Sequence, residues 1–312
     1  MAGLSSADAL PGDRAAADAS PPAKTSEEKR SGPPRRRTQR FAQMMRGPFR
    51  SSRLFSMPTT DVIGAYMLSV SGDGSLLQET GLLTSAGVLA IGFGDIAQLE
   101  YRHSAAISVT GVNAPLPGVG VQLEVPLPEI DGVPAFGVSF RIGVPRREVF
   151  GGTNVEETVS DLYLVGRLHW SKVDWLTLHG GTRISSAKVT LTGDARGAAE
   201  KTLWLPTAGY EVRMNRDASI VGEVALAPQF RWTPSSADAP TIGYGLLGRL
   251  GMRWALLPSV IIDGSIGYQL EVAHAALASG PDDVVHWDIR LGAEVFVPWG
   301  ALACRAAGVF CD

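Results

Sequence analysis

Between residues 61 and 298 apolar side chains return at every second position in twelve separate runs. In the last run Trp287, Ile289, Leu291, Ala293, Val295 and Val297 fall on one face, opposite Asp288, Arg290, Gly292 and Glu294. A period of two is the mark of a β-strand whose faces meet unlike surroundings. The predicted strands are 61–71, 83–93, 96–104, 118–126, 134–144, 158–170, 173–185, 202–214, 217–232, 241–255, 259–272 and 285–298. The gaps between them alternate, with 11, 13, 13, 16, 8 and 12 residues at odd gaps and 2, 7, 2, 2 and 3 at even ones. Gly94-Asp95, Ser171-Lys172, Asn215-Arg216 and Leu256-Leu257-Pro258 supply compact turns of hairpin type. An all-β, antiparallel, up-and-down sheet of twelve strands follows, with short turns on one rim and longer loops on the other.

The charged positions decide which way the apolar face points. Arg102, Arg141, Arg167, Arg183, Arg213, Arg231, Arg249, Arg253 and Arg290 share the polar faces with Glu100, Glu124, Glu211, Glu223, Asp263, Glu271, Asp288 and Glu294. A barrel in lipid turns these inward, and slipping one strand by a residue would place an arginine in hydrocarbon at a cost of about 2–4 kcal/mol. A soluble barrel binding an apolar ligand would show the same alternation with the faces exchanged. The tryptophans separate the two: Trp170, Trp175, Trp254 and Trp299 end strands on the short-turn side, and Trp204, Trp232 and Trp287 on the long-loop side. Amphipathic rings at both rims are the girdles of a membrane-spanning barrel.

Composition adds boundaries. Hydrophobic residues make up 45% of the 312 and charged residues 19%, yet no stretch offers the roughly 20 apolar residues of a spanning helix. Residues 1–56 carry 11 Lys and Arg against 5 Asp and Glu, whereas the remainder carries 17 against 26. This arm is rich in Pro, Ala, Ser and Arg, shows neither period, and is expected to be disordered. The barrel is assigned to 57–300 and a tail to 301–312. Cys304 and Cys311 lie in that tail, and a disulfide and two free thiols are both open. An export signal would need a 7–15 residue apolar core, which is not visible in the first 56 residues.

With alternating strands, short turns, long loops and rim aromatics together, residues 61–298 resemble bacterial outer-membrane β-barrel proteins as an architectural class. The resemblance implies outer-membrane lipid as the surroundings, insertion by the barrel-assembly machinery, both termini in the periplasm and the longer loops outside. Phe296 and Trp299 stand near the chain end, but the terminal residue is Asp312 and not the aromatic such proteins often carry.

The balanced inward charges admit two roles. They can pair across and fill a closed structural or surface barrel, or line a narrow path for small polar solutes. An outer-membrane lipid-modifying enzyme is the third reading, and it needs a nucleophile within reach of a histidine base. His103, His169, His179, His274 and His286 are scattered without such a motif. No catalytic residue, cofactor or metal site is expected, and the basic run Arg35, Arg36, Arg37 lacks the aromatic interleaving of a nucleic-acid surface.

Overall fold

A computed structural model describes residues 51–77, 83–94, 96–105, 118–126, 131–150, 152–232, 239–271 and 286–307. The strands are β1 Leu68–Leu77, β2 Leu83–Phe93, β3 Ala97–Ala105, β4 Val119–Glu124, β5 Ala135–Ile142, β6 Arg146–Phe150, β7 Thr153–His169, β8 Leu176–Gly193, β9 Gly197–Arg213, β10 Ala218–Arg231, β11 Thr241–Leu257, β12 Val260–Glu271 and β13 His286–Val297; a helix, α1, spans Trp299–Ala307. Each strand pairs antiparallel with its sequence neighbour, and β1 pairs with β13 over ten residues. Because β5 and β6 both pair with β7, they are two lengths of one stave, and the sheet closes as a barrel of twelve.

Burial runs opposite to that of a soluble domain. Leu250 and its cross-strand partner Ile266 are 53% and 54% exposed, whereas Arg249, next to Leu250 along β11, is 8% exposed. Val121, Phe140, Leu164, Val224 and Ile289 also face out, while Gln98, Glu100, Gln122, Arg141, Asp161 and Glu223 are enclosed. This is a transmembrane β-barrel, and a soluble barrel with an apolar interior does not fit it.

The longest strands show where the lipid ends. Along β7 the outward positions are Leu164 and Leu162 and then, going up, Ser160, Thr158, Glu156 and Asn154. Inward, Arg167, Tyr163 and Asp161 give way to Val159 and Val155. The same exchange occurs on β8 above Ile184, where Ala187, Val189 and Leu191 turn in and Ser186, Lys188 and Thr190 turn out. It recurs on β9 above Trp204, which pairs with Ile184. Below this level each strand keeps roughly the 9–11 residues that cross hydrocarbon. Above it, the inward face packs an apolar cluster with Phe230 and Ile242 as a water-soluble sheet would. The expected loops 145–157 and 186–201 are therefore largely strand, reduced to tight turns at Gly152 and at residues 194–196, with Gly152 and Gly193 at positive φ.

The chain start also departs from expectation. Strand one begins at Leu68, not 61, and residues 51–67 lie inside the barrel, so the arm expected to be disordered through residue 56 is ordered from 51; residues 1–50 lie outside the described residues. The expected tail is helical over its first part, and Cys304 is disulfide-bonded. Cys311 lies outside the described residues.

Replacing Leu250 with Arg should lower equilibrium folding stability in lipid vesicles by about 2–4 kcal/mol. Lys188→Leu, above the lipid level, should change it by less than about 1 kcal/mol; equal losses in urea titrations would contradict the boundary.

Candidate functional site

The lumen is occupied by the protein's own chain. Residues 51–60 double back as a small hairpin: Arg53 and Pro58 form a bridge, Leu54 N–H donates to Met57 O at 2.9 Å, and Thr59 N–H to Ser52 O at 3.0 Å. Its apex meets Glu223 of β10. That carboxylate accepts from the N–H groups of Phe55 (3.0 Å), Ser56 (3.0 Å) and Met57 (3.3 Å) and from the Ser56 hydroxyl (2.6 Å). Successive amides converging on one anion form a nest of the kind that binds anions generally, here with the anion supplied by the wall.

Other walls hold the returning chain. The Gln122 amide nitrogen lies within 3.0 Å of the carbonyl oxygens of Ser52, Thr59 and Asp61, so its two hydrogens are shared among three acceptors. Gln98 accepts from Ile63 N–H at 3.0 Å and donates to Gln122 at 3.3 Å. Arg253 donates to the carbonyls of Arg53 and Leu54 and to Glu211, and Arg167 pairs with Asp61. Leu54, Phe55 and Met57 pack against Tyr163, Val165 and Val221. Small residues make the room: a Cβ at Gly209 would sit 2.2 Å from the Leu54 side chain, and one at Gly92 2.3 Å from Gly64 O.

The plug is rooted at Tyr66, whose φ of +57° is a left-handed conformation that costs a non-glycine residue about 1 kcal/mol or more. There the chain turns from the lumen into β1. Tyr66 N–H donates to Gly92 O, Gly300 N–H donates to Tyr66 O, and the Trp299 ring packs edge-on against Tyr66 at 5.5 Å. Helix α1 thus fastens the root of the plug at the short-turn rim.

Beside the plug, Glu100 pairs with Arg102 and Arg141, while Asp161 takes a bidentate pair from Arg183 at 2.8 and 2.9 Å. Arg141 and Arg183 both lie over the Tyr163 ring. Across the lumen Arg290 pairs with Asp73, and Glu294 accepts from the Ser69 hydroxyl.

Of the seventeen charged residues expected on the inward face, Glu100, Arg102, Arg141, Arg167, Glu211, Glu223, Arg249, Arg253 and Glu294 are enclosed; Arg183, Asp263 and Arg290 are half-buried, as is Glu124 near the rim. Arg213 ends β9 opposite the buried Ser219, on the same face as Glu211, and is exposed at the rim. The side chains of Arg231, Glu271 and Asp288 lie outside those described. Among the tryptophans, Trp175, Trp204 and Trp254 are exposed; Trp204 lies in the middle of β9, at the level where its lipid-facing part ends, and not at a strand end as expected. Trp170 is half-buried near Gly132, and Trp299 is half-buried and packs on Tyr66 at the short-turn rim; Trp232 packs against the apolar cluster above the lipid and is corrected from a girdle to a packing role. The Trp287 side chain lies outside those described. His179 stands in the wall with its Nε2 4.0 Å from Glu211, and His169 meets Thr177 at 3.4 Å. The plug itself was missed, because Ile63, Ala65 and Met67 alternate as a strand does.

No family model matches the chain, and no curated protein matches it. Among solved structures it is similar to the NanC porin (9% identity, 72% of this chain and 98% of that one, TM-score 0.44). It is also similar to the translocator domain of the autotransporter NalP from Neisseria meningitidis (14%, 73% and 87%, TM-score 0.40) and to Omp33 of Acinetobacter baumannii (11%, 74% and 97%, TM-score 0.33). These likenesses assign no function.

Replacing Glu223 with Ala removes the acceptor of four hydrogen bonds at the apex. A cysteine at Ser56 should then react with a water-soluble maleimide at least about tenfold faster than in the parent, since each charged bond is worth about 1.5–3 kcal/mol. Unchanged labelling would show that the apex is held elsewhere. Gly209→Val, which invades the Leu54 seat, should act in the same direction.

Proposed function

We propose that the protein is a non-enzymatic conduit of a bacterial outer membrane, closed at rest by residues 51–65 and passing small polar solutes when they withdraw. The observation that carries this reading is the character of the seat. The plug is held by hydrogen bonds, one ion pair and a small apolar cluster, with wall groups that water can equally well solvate. A fixed structural filling would be better served by apolar packing, since a polar seat exchanges bonds with water at little net cost. Twelve strands fall between barrels filled by side chains and barrels with open channels. A lumen that admits two passes of backbone would leave, once vacated, a path about 10 Å across, as strands stand about 4.8 Å apart with side chains beyond.

The outward apolar band and the exposed Trp175, Trp204 and Trp254 support placement in outer-membrane lipid, with insertion by the barrel-assembly machinery part of the same reading. The sheet that β6 to β9 raise above the lipid supports a second, compatible role as a surface-exposed element.

Leu54→Glu combined with Met57→Glu places two charges in the apolar part of the plug and leaves the wall intact. In planar bilayers the parent should be silent or flicker briefly, and the double variant should give steady ohmic steps. Silence of the folded variant at every voltage would replace the conduit with a closed structural barrel; equal steps from both proteins would remove the plug's closing role.

A further inference from the structure

Resting on the conduit reading, we infer that the plug seat is a peptide-backbone recognition site and that short peptides folded back in a tight turn are the solutes it binds. The wall reads the main chain of the plug far more than its side chains. Glu223 takes three consecutive N–H groups, Gln98 takes a fourth at Ile63, Gln122 gives to three carbonyls, and Arg253 gives to the carbonyls of Arg53 and Leu54. Acceptors gather at the N–H groups of the turn and donors at the carbonyls of its two legs, all carried by side chains of a wall whose own backbone is already paired. An oligosaccharide offers hydroxyls without that fixed sequence of N–H and C=O.

Side-chain selectivity is strongest where the wall makes a shaped space or supplies a charge. The space left by Gly209 accepts an apolar side chain at the Leu54 position, and Arg167 accepts a carboxylate eight residues from Arg53, at Asp61. A diffusing peptide with an apolar residue near its N-terminal end and an acid at its C-terminal end therefore occupies the seat in the place of residues 53–61.

The test uses the full chain carrying Leu54→Glu and Met57→Glu, in planar bilayers. One probe is the acetylated, amidated nonapeptide of sequence Arg-Leu-Phe-Ser-Met-Pro-Thr-Thr-Asp; a second is the same peptide N-methylated at its Phe, Ser and Met amides; a third is a neutral malto-oligosaccharide of similar length. The first should interrupt the current, the methylated peptide should need at least about tenfold higher concentration because charged hydrogen bonds are lost, and the sugar should not block in the same range. Introducing Glu223→Gln should shrink the difference between the two peptides. Equal block by both peptides, comparable block by the sugar, or no block of an open channel would overturn the inference and leave the conduit standing. If the variant carries no current, the conduit falls, and fluorescence polarisation with a fluorescein-labelled nonapeptide decides the seat: methylation-sensitive binding supports it and absent binding overturns it. Should the charged variant fail to show heat-modifiable mobility, Leu54→Ala with Met57→Ala takes its place in the same measurements.

Discussion

A strand in hydrocarbon has no water to satisfy its N–H and C=O groups, so every one must find a partner in a neighbouring strand. That requirement leaves no free edge within the lipid. It is met here by the β1–β13 seam and by the return of β5 onto β7. Closure then forces the second face of every strand into an enclosed space, and the period-two pattern of the sequence is the trace of that division. The inward charges follow from it too. Groups that would be too costly towards lipid are gathered where they meet one another, as Glu100 meets Arg102 and Arg141.

Once the walls are polar, the interior must be solvated by something. On the β10 side the hairpin supplies what water would otherwise give, since Glu223 receives its bonds from amides of residues 55–57. The plug and the wall therefore satisfy each other at the apex and along the Gln122 side. A carboxylate enclosed with no donor would cost about 1–3 kcal/mol or more, which explains why Glu223 is met by several donors of the plug.

Much of this was legible in the chain. The alternation in 285–298 and 241–255 located β13 and β11 to within two residues, because one side of each strand is oily along its full length in the lipid. Where a strand leaves the lipid, the rule changes sign: Val155 and Val189 point in while Glu156 and Lys188 point out, and the lipid-based reading stopped near that level on β7 and β8. Residues 61–67 misled for a related reason, since a segment facing the interior of a barrel alternates much as its wall does. What marked the break was Tyr66 in a left-handed turn, a conformation that no residue type announces. The contacts of Gln122 and Glu223 with the plug were equally hidden: their inward direction followed from the period, but an amide or carboxylate does not disclose whether it faces solvent, an ion pair or another stretch of backbone.

The anchorage of Tyr66 by Gly92, Gly300 and Trp299 has a consequence for competition. A segment released from its seat but fastened at residue 66 stays within the reach of its tether, about 50 Å for fifteen extended residues. Its effective concentration over the seat is then of millimolar order. Any diffusing molecule that uses the same seat contends with a resident that never leaves the neighbourhood, so occupancy by a guest is brief and resealing is intramolecular and independent of protein concentration.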